Sequence, residues 1–233
     1  MATVDAADSW LSLDGRVLAF EAHVARFSRA VEFSGGDATA AEAAMRAARE
    51  ATPAAGAFFP RVDFADGRFE RDIRPDPRLD DAAVLWTSPN DPRTTPAVKG
   101  PDLPALAELN AEAAEAGATE AVLLSFDGEV IEGAFSAMCW WRGDTLCYPD
   151  EDLERIDSVT WRTVKRLAAA DGVRMSPEFS QPADLEGCEV WIMNARHGIR
   201  PVTSWVGGPP LADLTRASVW RARLDTLREG VMQ

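Results

Sequence analysis

Two side chains in this 233-residue sequence carry a primary amine, Lys99 and Lys165, and every other basic residue among its 24 lysines and arginines is an arginine. Lys99 precedes a predicted helix and lies outside any amphipathic pattern, whereas Lys165 falls on the polar side of another predicted helix. A lysine that becomes buried loses basicity, and its neutral amine can then attack a carbonyl carbon. Lys99 is therefore a candidate for Schiff-base chemistry, with a solvated loop lysine as the alternative. Lys165 is predicted to be solvated.

Glu132 is a second candidate for chemistry because of the small residues that follow it. It comes at the end of a strand-like run and precedes Gly133 and Ala134. A carboxylate in such a place could face a cavity and hold a cation or a protonated ring nitrogen. The alternative is an ordinary glutamate on an edge strand.

The segment Asp157-Ser158-Val159-Thr160 is typical of the start of a helix, with Asp157 or Ser158 as the capping residue. Backbone N–H groups and the helix dipole favour a phosphate at such an end, although capping alone explains the same pattern. Arg26, on the flank of the first predicted helix, could supply a further phosphate ligand. A surface arginine is the alternative there.

A second loop could complete such a phosphate site. The segment 194–202 follows a predicted strand and has the turn residues of a backbone anion cradle. The candidate ligands in it are Asn194, Ala195 and Arg196.

Composition excludes several other classes of function. With 38 acidic residues and a formal charge of −14, the chain is not expected to bind nucleic acid or anionic membranes. No apolar run is long enough for a spanning helix, and no secretory signal is evident, so a cytoplasmic protein is expected. The three cysteines lack CxxC spacing and the two histidines, His23 and His197, are more typical of structural residues, so no metal site is predicted.

The elements that must position these residues are strands and helices mixed along the chain. Asp-Gly pairs at 14–15, 66–67 and 127–128 indicate hairpins. Helices are predicted over 20–33, 38–50, 103–116, 158–170 and 211–229. Strands are predicted over 10–13, 16–19, 57–64, 68–73, 82–86, 121–126, 129–141, 145–148, 188–193 and 200–206. A linker is predicted at 74–78, and the whole indicates an α+β fold in two parts.

Five segments, taken in order, resemble the class IV aminotransferases, the fold-type-IV enzymes that use pyridoxal 5′-phosphate. They are 23–27 (HxxR[LF]), Lys99, 117–133 (GadEallld…dGxvxEg), 158–160 and 194–202 (NaxxGixPV), and they span nearly the whole chain. The resemblance implies that Lys99 carries the cofactor and moves a proton, that Glu132 pairs with the pyridine nitrogen, and that Arg26 binds the phosphate. It also implies a phosphate cradle made by Ser158, Val159 and Thr160 together with Asn194, Ala195 and Arg196.

The resemblance further implies a homodimer with the active site near the interface. It implies a small domain over residues 1–76 and a larger one over 77–233, and a small-molecule amino substrate. The Asn194-Ala195 pair is closest to the 4-amino-4-deoxychorismate lyases, which release p-aminobenzoate and pyruvate. An aminotransferase acting on a branched-chain or D-amino acid is the alternative, and a divergent cofactor-binding protein is a further one. The sequence departs from the family pattern at Ala137, Ser158 and Ala195, and no tyrosine follows Lys99 within the next turn, so the specificity stays open.

Overall fold

The computed structural model describes residues 4–76 and 81–230, and its helices and strands alternate irregularly along the chain. The α-helices of this part are α1 (Phe20–Phe33), α2 (Ala38–Ala51), α3 (Leu103–Glu115), α4 (Val159–Ala170) and α5 (Ala217–Thr226). The strands are β1 (Ala6–Ser9), β2 (Ser12–Leu13), β3 (Arg16–Leu18), β4 (Ala57–Ala65), β5 (Arg68–Pro75), β6 (Ala83–Thr87), β7 (Glu120–Leu124), β8 (Val130–Gly133), β9 (Ala137–Arg142), β10 (Thr145–Pro149), β11 (Arg174–Glu178), β12 (Glu189–Asn194), β13 (Gly198–Val206) and β14 (Arg228–Glu229). The strands form two sheets, which confirms the predicted α+β class. Within the described ranges, none of the helices is both long and apolar enough to cross a membrane.

The first sheet is antiparallel and is built around β4. β1 and β2 pair with β4, and β5 pairs with β4 along nearly its full length. β3 continues the sheet from β2 to β14, so that the chain returns to this sheet near its end. Helices α1 and α2 pack against each other and against β1, β4 and β5.

Helix α1 follows the predicted apolar stripe. Phe20, Val24, Phe27 and Val31 recur at helical spacing, and all four are buried. They pack against the first sheet, in one apolar cluster with Trp10. Burying this stripe fixes the orientation of the opposite, polar flank of the helix, which carries the site residue Arg26.

The second sheet has the strand order β11-β10-β9-β12-β13-β6-β7-β8. β6 lies parallel to both β13 and β7, whereas β8, β9 and β12 pair antiparallel with their neighbours. Helices α3, α4 and α5 pack on this sheet, and three tryptophans form much of the core beneath α5. They are Trp141, Trp191 and Trp220, whose ring centroids lie 5.6–5.8 Å apart.

The stretch 129–141, predicted as one strand, is two strands in different parts of the second sheet, so that prediction was wrong. β8 pairs with β7, whereas β9 pairs with β10 and β12. Between them the Gly133 amide donates to the Ser136 carbonyl (2.7 Å), and the Phe135 amide donates to the carboxylate of Glu120 (2.9 Å). A Cβ at position 133 would lie 2.8 Å from that carboxylate, so the turn requires glycine. The buried Glu120 therefore interrupts the strand.

The last helix is shorter than the predicted 211–229, because contacts from distant strands fix both of its ends. The carboxylate of Glu189 accepts hydrogen bonds from the amides of Thr215, Arg216 and Ala217, which sets the start of α5. After Thr226 the chain leaves the helix and Arg228 pairs with β3. Strands β1, β11 and β14 were not predicted.

The predicted linker 74–78 is only partly irregular. Arg74 and Pro75 belong to β5, where they pair with Phe59 and Phe58 of β4. Residues 77 and 78 lie outside the described residues. The proposed division into 1–76 and 77–233 also falls at the edge of that gap and stays a prediction.

The loop that carries Lys99 is held directly against β1. The amide of Ala7 donates to the carbonyl of Lys99 (2.7 Å), and Gly100 has a φ of +151°. A Cβ on Gly100 would lie 2.8 Å from the backbone of Ala6. Only glycine allows the two segments to approach this closely.

The variant Gly100→Ala is expected to lose about 2–4 kcal/mol of unfolding free energy, because the new methyl group meets the β1 backbone and the positive φ is strained. Gly143→Ala is the matched control, since Gly143 also has a positive φ (+59°) but no atom within 4 Å of the added Cβ. The control should lose about 1 kcal/mol. Urea unfolding followed by tryptophan fluorescence measures both losses. Equal losses in the two variants would contradict a tight contact between the loop and β1.

Candidate active site

All of the residues predicted for the site line one cavity of about 460 Å³. Its walls come from β1, β4 and β5 of the first sheet and from β8, β12 and β13 of the second. The predicted residues in the lining are Arg26, Lys99, Glu132, Ser158, Val159, Thr160, Asn194, Ala195 and Arg196. The structure thus brings them together, while the role of each stays a prediction. Lys165 lies elsewhere and donates a hydrogen bond to the Glu151 carboxylate (2.8 Å).

The Lys99 amine is surrounded by charges of both signs. Burial, with the positive charge of Arg26 and that of Arg61, lowers the pKa of Lys99 to about 8, although Asp8 and Glu132 act in the opposite direction. A neutral amine is therefore accessible close to neutral pH, as a nucleophile or proton acceptor requires.

The loop before Lys99 is organised by Asp102. Its carboxylate accepts hydrogen bonds from the amides of Thr94 and Thr95 (2.9 Å each) and from the hydroxyl of Thr94 (2.8 Å). These bonds close the loop 94–102 just before α3 begins. Together with the β1 contact they fix the backbone from which Lys99 reaches the cavity.

Glu132 is buried at the end of β8, with 5% of its surface exposed. It accepts a hydrogen bond from Nη1 of Arg93 (2.6 Å), and Arg93 also pairs with Asp91 (2.7 Å). Burial raises the pKa of Glu132 to about 7, against the positive charge of Arg93 and a hydrogen bond from the amide of Ile156. A buried carboxylate of this kind gains from a further cation in the cavity.

Another part of the cavity wall is suited to an anion. Arg26 donates through Nη1 to the carbonyl of Asp157 (3.1 Å), directly before α4. The Ser158 hydroxyl caps α4 by accepting from the amide of Trp161 (3.3 Å). The amides of Val159 and Thr160 belong to the first turn and have no acceptor within the helix. A guanidinium beside a helix start forms a site for a phosphate or carboxylate.

The Asn194 turn is held together by its own hydrogen bonds, and its predicted role at an anion stays a prediction. The side-chain oxygen of Asn194 accepts from the amides of Arg196 (3.1 Å) and His197 (2.9 Å), so these amides point at the asparagine. Its side-chain nitrogen donates to the Ser136 hydroxyl (3.0 Å). The guanidinium of Arg196 pairs with Asp76 through two contacts of 2.8 Å. The turn therefore joins the β12–β13 connection to the β8–β9 turn and to the end of β5.

Sequence reasoning missed several charged residues of the cavity wall. Arg61 and Arg74 line it from the first sheet, while Glu120 and Arg200 form a buried ion pair on the opposite side (2.5 Å). Burial raises the pKa of Glu120 above its ordinary value, although the charge of Arg200 opposes this. Arginine is too common in this sequence for a single one to be conspicuous, whereas Glu120 belongs to the 117–133 motif.

The two histidines also line the cavity. His23 is buried and hydrogen bonds through Nδ1 to the Asp8 carboxylate (2.8 Å). Burial lowers the pKa of His23, which favours the neutral ring with its proton on Nδ1. This arrangement is that of a structural histidine, as predicted.

A nucleophilic amine, a buried carboxylate and an anion site that meet in one cavity are the parts of an enzyme site for carbonyl chemistry. The family model for class IV aminotransferases matches residues 5–205. The chain belongs to the class IV aminotransferase family, a family of enzymes that use pyridoxal 5′-phosphate.

Solved structures with a similar fold cover nearly all of the chain. An aminotransferase from Brucella abortus bound to pyridoxal 5′-phosphate aligns with a TM-score of 0.80 at 17% identity, covering 95% of this chain and 87% of that one. The branched-chain amino acid aminotransferase of Escherichia coli aligns with a TM-score of 0.80 at 15% identity, covering 99% and 87%. A Legionella pneumophila protein assigned as a 4-amino-4-deoxychorismate lyase aligns with a TM-score of 0.80 at 10% identity, covering 96% and 91%. At these identities the likeness shows the fold. No match was found among curated proteins.

In the cofactor-free protein, the Lys99 amine is expected to react with a small acylating reagent at a rate that is half-maximal near pH 8, since only the neutral amine is nucleophilic. The rate should be low below this pH and level off above it. Peptide mass spectrometry separates the two lysines, so that Lys165 serves as an internal reference in each sample. A pH dependence identical for both lysines would contradict the lowered pKa of Lys99.

Proposed function

We propose that the cavity binds pyridoxal 5′-phosphate and that the protein is an active enzyme. The proposal rests mainly on one observation: Lys99, Glu132 and Arg26 line the same cavity. Lys99 would bind the cofactor's aldehyde, Glu132 would accept from its ring nitrogen, and Arg26 with the amides of Val159 and Thr160 would hold its phosphate. The donor set thus fits the cofactor at three separate points. When bound, the cofactor supplies an electron sink for bonds at the α-carbon of an amino substrate.

The residues of the chain would supply proton transfer and orientation. With a pKa of about 8, the Lys99 amine can both take and return a proton at the substrate's α-carbon near neutral pH. Its backbone is held by β1 and by the loop that Asp102 closes. Glu132 would hold the ring nitrogen in its protonated form, which a carboxylate does by charge.

The proposed substrate is a carboxylate-bearing amine. Arg61 and Arg74 line the cavity on the side of the first sheet, next to Phe59. The guanidinium of Arg74 lies over the Phe59 ring, 5.4 Å from its centroid. Arginine forks bind carboxylates in a fixed geometry, and the aromatic ring offers a flat apolar surface.

The reaction we propose is lyase activity on 4-amino-4-deoxychorismate, with release of p-aminobenzoate and pyruvate. This substrate carries two carboxylates and a ring, which suits the two arginines and Phe59. The Asn194-Ala195 pair supports the same choice. The alternative is an aminotransferase for a branched-chain or D-amino acid, and the apolar residues Leu103 and Leu106 in the cavity lining favour it.

Purified protein supplied with pyridoxal 5′-phosphate is expected to develop a visible absorbance band that Lys99→Ala abolishes and the matched control Lys165→Ala keeps. With 4-amino-4-deoxychorismate, the wild type should release p-aminobenzoate, followed by its fluorescence, and Lys99→Ala should lower the rate at least about 10³-fold, the order of a lost proton-transfer group.

A wild type without the band would contradict cofactor binding. The band without release of p-aminobenzoate, but with amino transfer to a 2-oxo acid, would favour the aminotransferase. The band without either activity would favour a divergent cofactor-binding protein.

We also propose that the protein is a homodimer with the cavity near the interface. Phe135 lines the cavity and exposes 38% of its surface, and Phe33, beside Arg26 and Lys99 in a neighbouring cavity, exposes 75%. Large exposed aromatic side chains around a site favour cover by a second chain.

Light scattering is expected to give twice the mass of one chain. Phe33→Glu should lower the measured mass towards that of the monomer, because the new charge opposes burial of this position in an interface. A wild-type monomer at micromolar concentration would contradict the proposal.

The cytoplasm is the proposed location. All three cysteines, Cys139, Cys147 and Cys188, are buried thiols, which suits a reducing compartment. Recovery of the protein in the secreted fraction of its cells would contradict this.

A further inference from the structure

Asp8 on β1 has none of its surface exposed, yet it carries a full set of polar contacts. Oδ2 accepts from Nε of Arg26 (2.8 Å), and Oδ1 accepts from Nη2 of Arg26 (2.9 Å). Oδ1 also accepts from Nδ1 of His23 (2.8 Å) and from the amide of Ser9 (2.7 Å). The carboxylate therefore joins β1 to two residues of α1 that are one turn apart.

These contacts keep Asp8 charged in spite of its burial. Burial alone would raise the pKa of Asp8, but the charge of Arg26 and the hydrogen bond from His23 hold it well below its usual range. A buried carboxylate without such partners would be strongly destabilising. Asp8 is thus a permanent negative charge at the base of the anion end of the cavity.

The geometry of the pair limits what Arg26 can do. Two parallel N–H···O bonds fix the plane of a guanidinium, whereas a single contact leaves it free to rotate. With Nε and Nη2 held by Asp8, the remaining edge of Arg26 points to the carbonyl of Asp157, directly before α4. The amides of Val159 and Thr160 begin the helix at this place. The arginine is therefore oriented before any ligand arrives.

We propose that Asp8 is a positioning residue, which holds the Arg26 guanidinium in the orientation that a ligand's phosphate group meets at the start of α4. The proposal rests on the proposed function for the identity of the ligand. The orientation itself is a property of the protein and is measurable with inorganic phosphate alone.

Asp8→Asn removes the charge and one of the two acceptors, so the guanidinium should lose its fixed plane. Affinity for pyridoxal 5′-phosphate is expected to fall at least about tenfold, whereas affinity for pyridoxal, which lacks the phosphate, should change less than about threefold. The stabilisation of the cofactor-free protein by inorganic phosphate, measured as a rise in Tm at constant ionic strength, should also be lost. Asp171→Asn is the matched control, because it breaks another aspartate–arginine pair, with Arg223, away from the cavity.

Two further measurements separate positioning from a general structural role. In a double-mutant cycle for inorganic phosphate, Asp8→Asn should cost almost no phosphate affinity in the background of Arg26→Gln, because Asp8 acts through Arg26.

The second measurement is the pH dependence of the Lys99 amine. Within the described part of the chain, four charged side chains face this amine: Arg26 from α1, Arg61 from β4, Glu132 from β8 and Asp8 from β1. Loss of the Asp8 charge should lower the pKa of Lys99, so that its acylation becomes half-maximal below pH 8. Asp8→Glu, which keeps the charge but lengthens the side chain, should leave the midpoint near pH 8 and still weaken phosphate binding.

A folded Asp8→Asn protein that still prefers pyridoxal 5′-phosphate over pyridoxal as the wild type does would overturn the proposal. So would equal losses for the two ligands, or additive effects in the cycle. If Asp8→Asn fails to fold, Asp8→Glu decides, and unchanged phosphate binding in that variant would count against positioning. A wild type that binds inorganic phosphate but no pyridoxal 5′-phosphate would contradict the proposed function and leave the Asp8 test intact.

Discussion

Strand β1 has β4 on one edge and the loop of Lys99 on the other, and the site depends on this arrangement. The antiparallel pairing with β4 places Ala6 opposite Phe64, while the amide of Ala7 holds the carbonyl of Lys99 at 2.7 Å. Because Gly100 has no Cβ, the loop approaches the strand at backbone distance. The first strand thereby fixes the backbone position of Lys99, which is far from it in the sequence. Side chains from both sheets line the cavity that the Lys99 amine reaches.

The distribution of charge in the cavity differs from that of the whole chain. The formal charge is −14, but the cavity lining contains, among the described residues, five arginines, each with a carboxylate partner close by. Arg26 is held by Asp8, Arg196 by Asp76 and Arg200 by Glu120. Arginine stays charged at every physiological pH, so these groups can fix an anion without titrating. Lysine at position 99 is different, since its amine can become neutral close to physiological pH.

The fold and the site were predictable to different degrees, for reasons that particular residues show. The stripe of α1 and the Asp-Gly hairpins are local signals, and both correspond to observed elements. β1 gave no signal, because all four of its residues are buried and Ala-Ala-Asp-Ser neither alternates nor favours strands. The break at 134–136 and the start of α5 depend on the carboxylates of Glu120 and Glu189, which act from other strands.

The candidate site follows the same division. Its motif residues share the lining of one cavity, and each motif is a short local pattern that can be identified by itself in the sequence. Their partners Asp8, Asp91 and Arg93 could not be found in that way, since an ion pair between distant segments leaves no local pattern.

Glu132 shows how such partners change the charge of a site. The guanidinium of Arg93 pairs with the carboxylates of both Glu132 and Asp91. These three side chains together have a net charge of −1 when both acids are ionised. Burial raises the pKa of Glu132 to about 7, because the positive charges of Arg93 and Arg155 and the hydrogen bond from the amide of Ile156 do not fully offset the loss of solvent. A further positive charge on the cavity side of Glu132 would favour its ionised form, and a protonated pyridine nitrogen would be a charge of that sign.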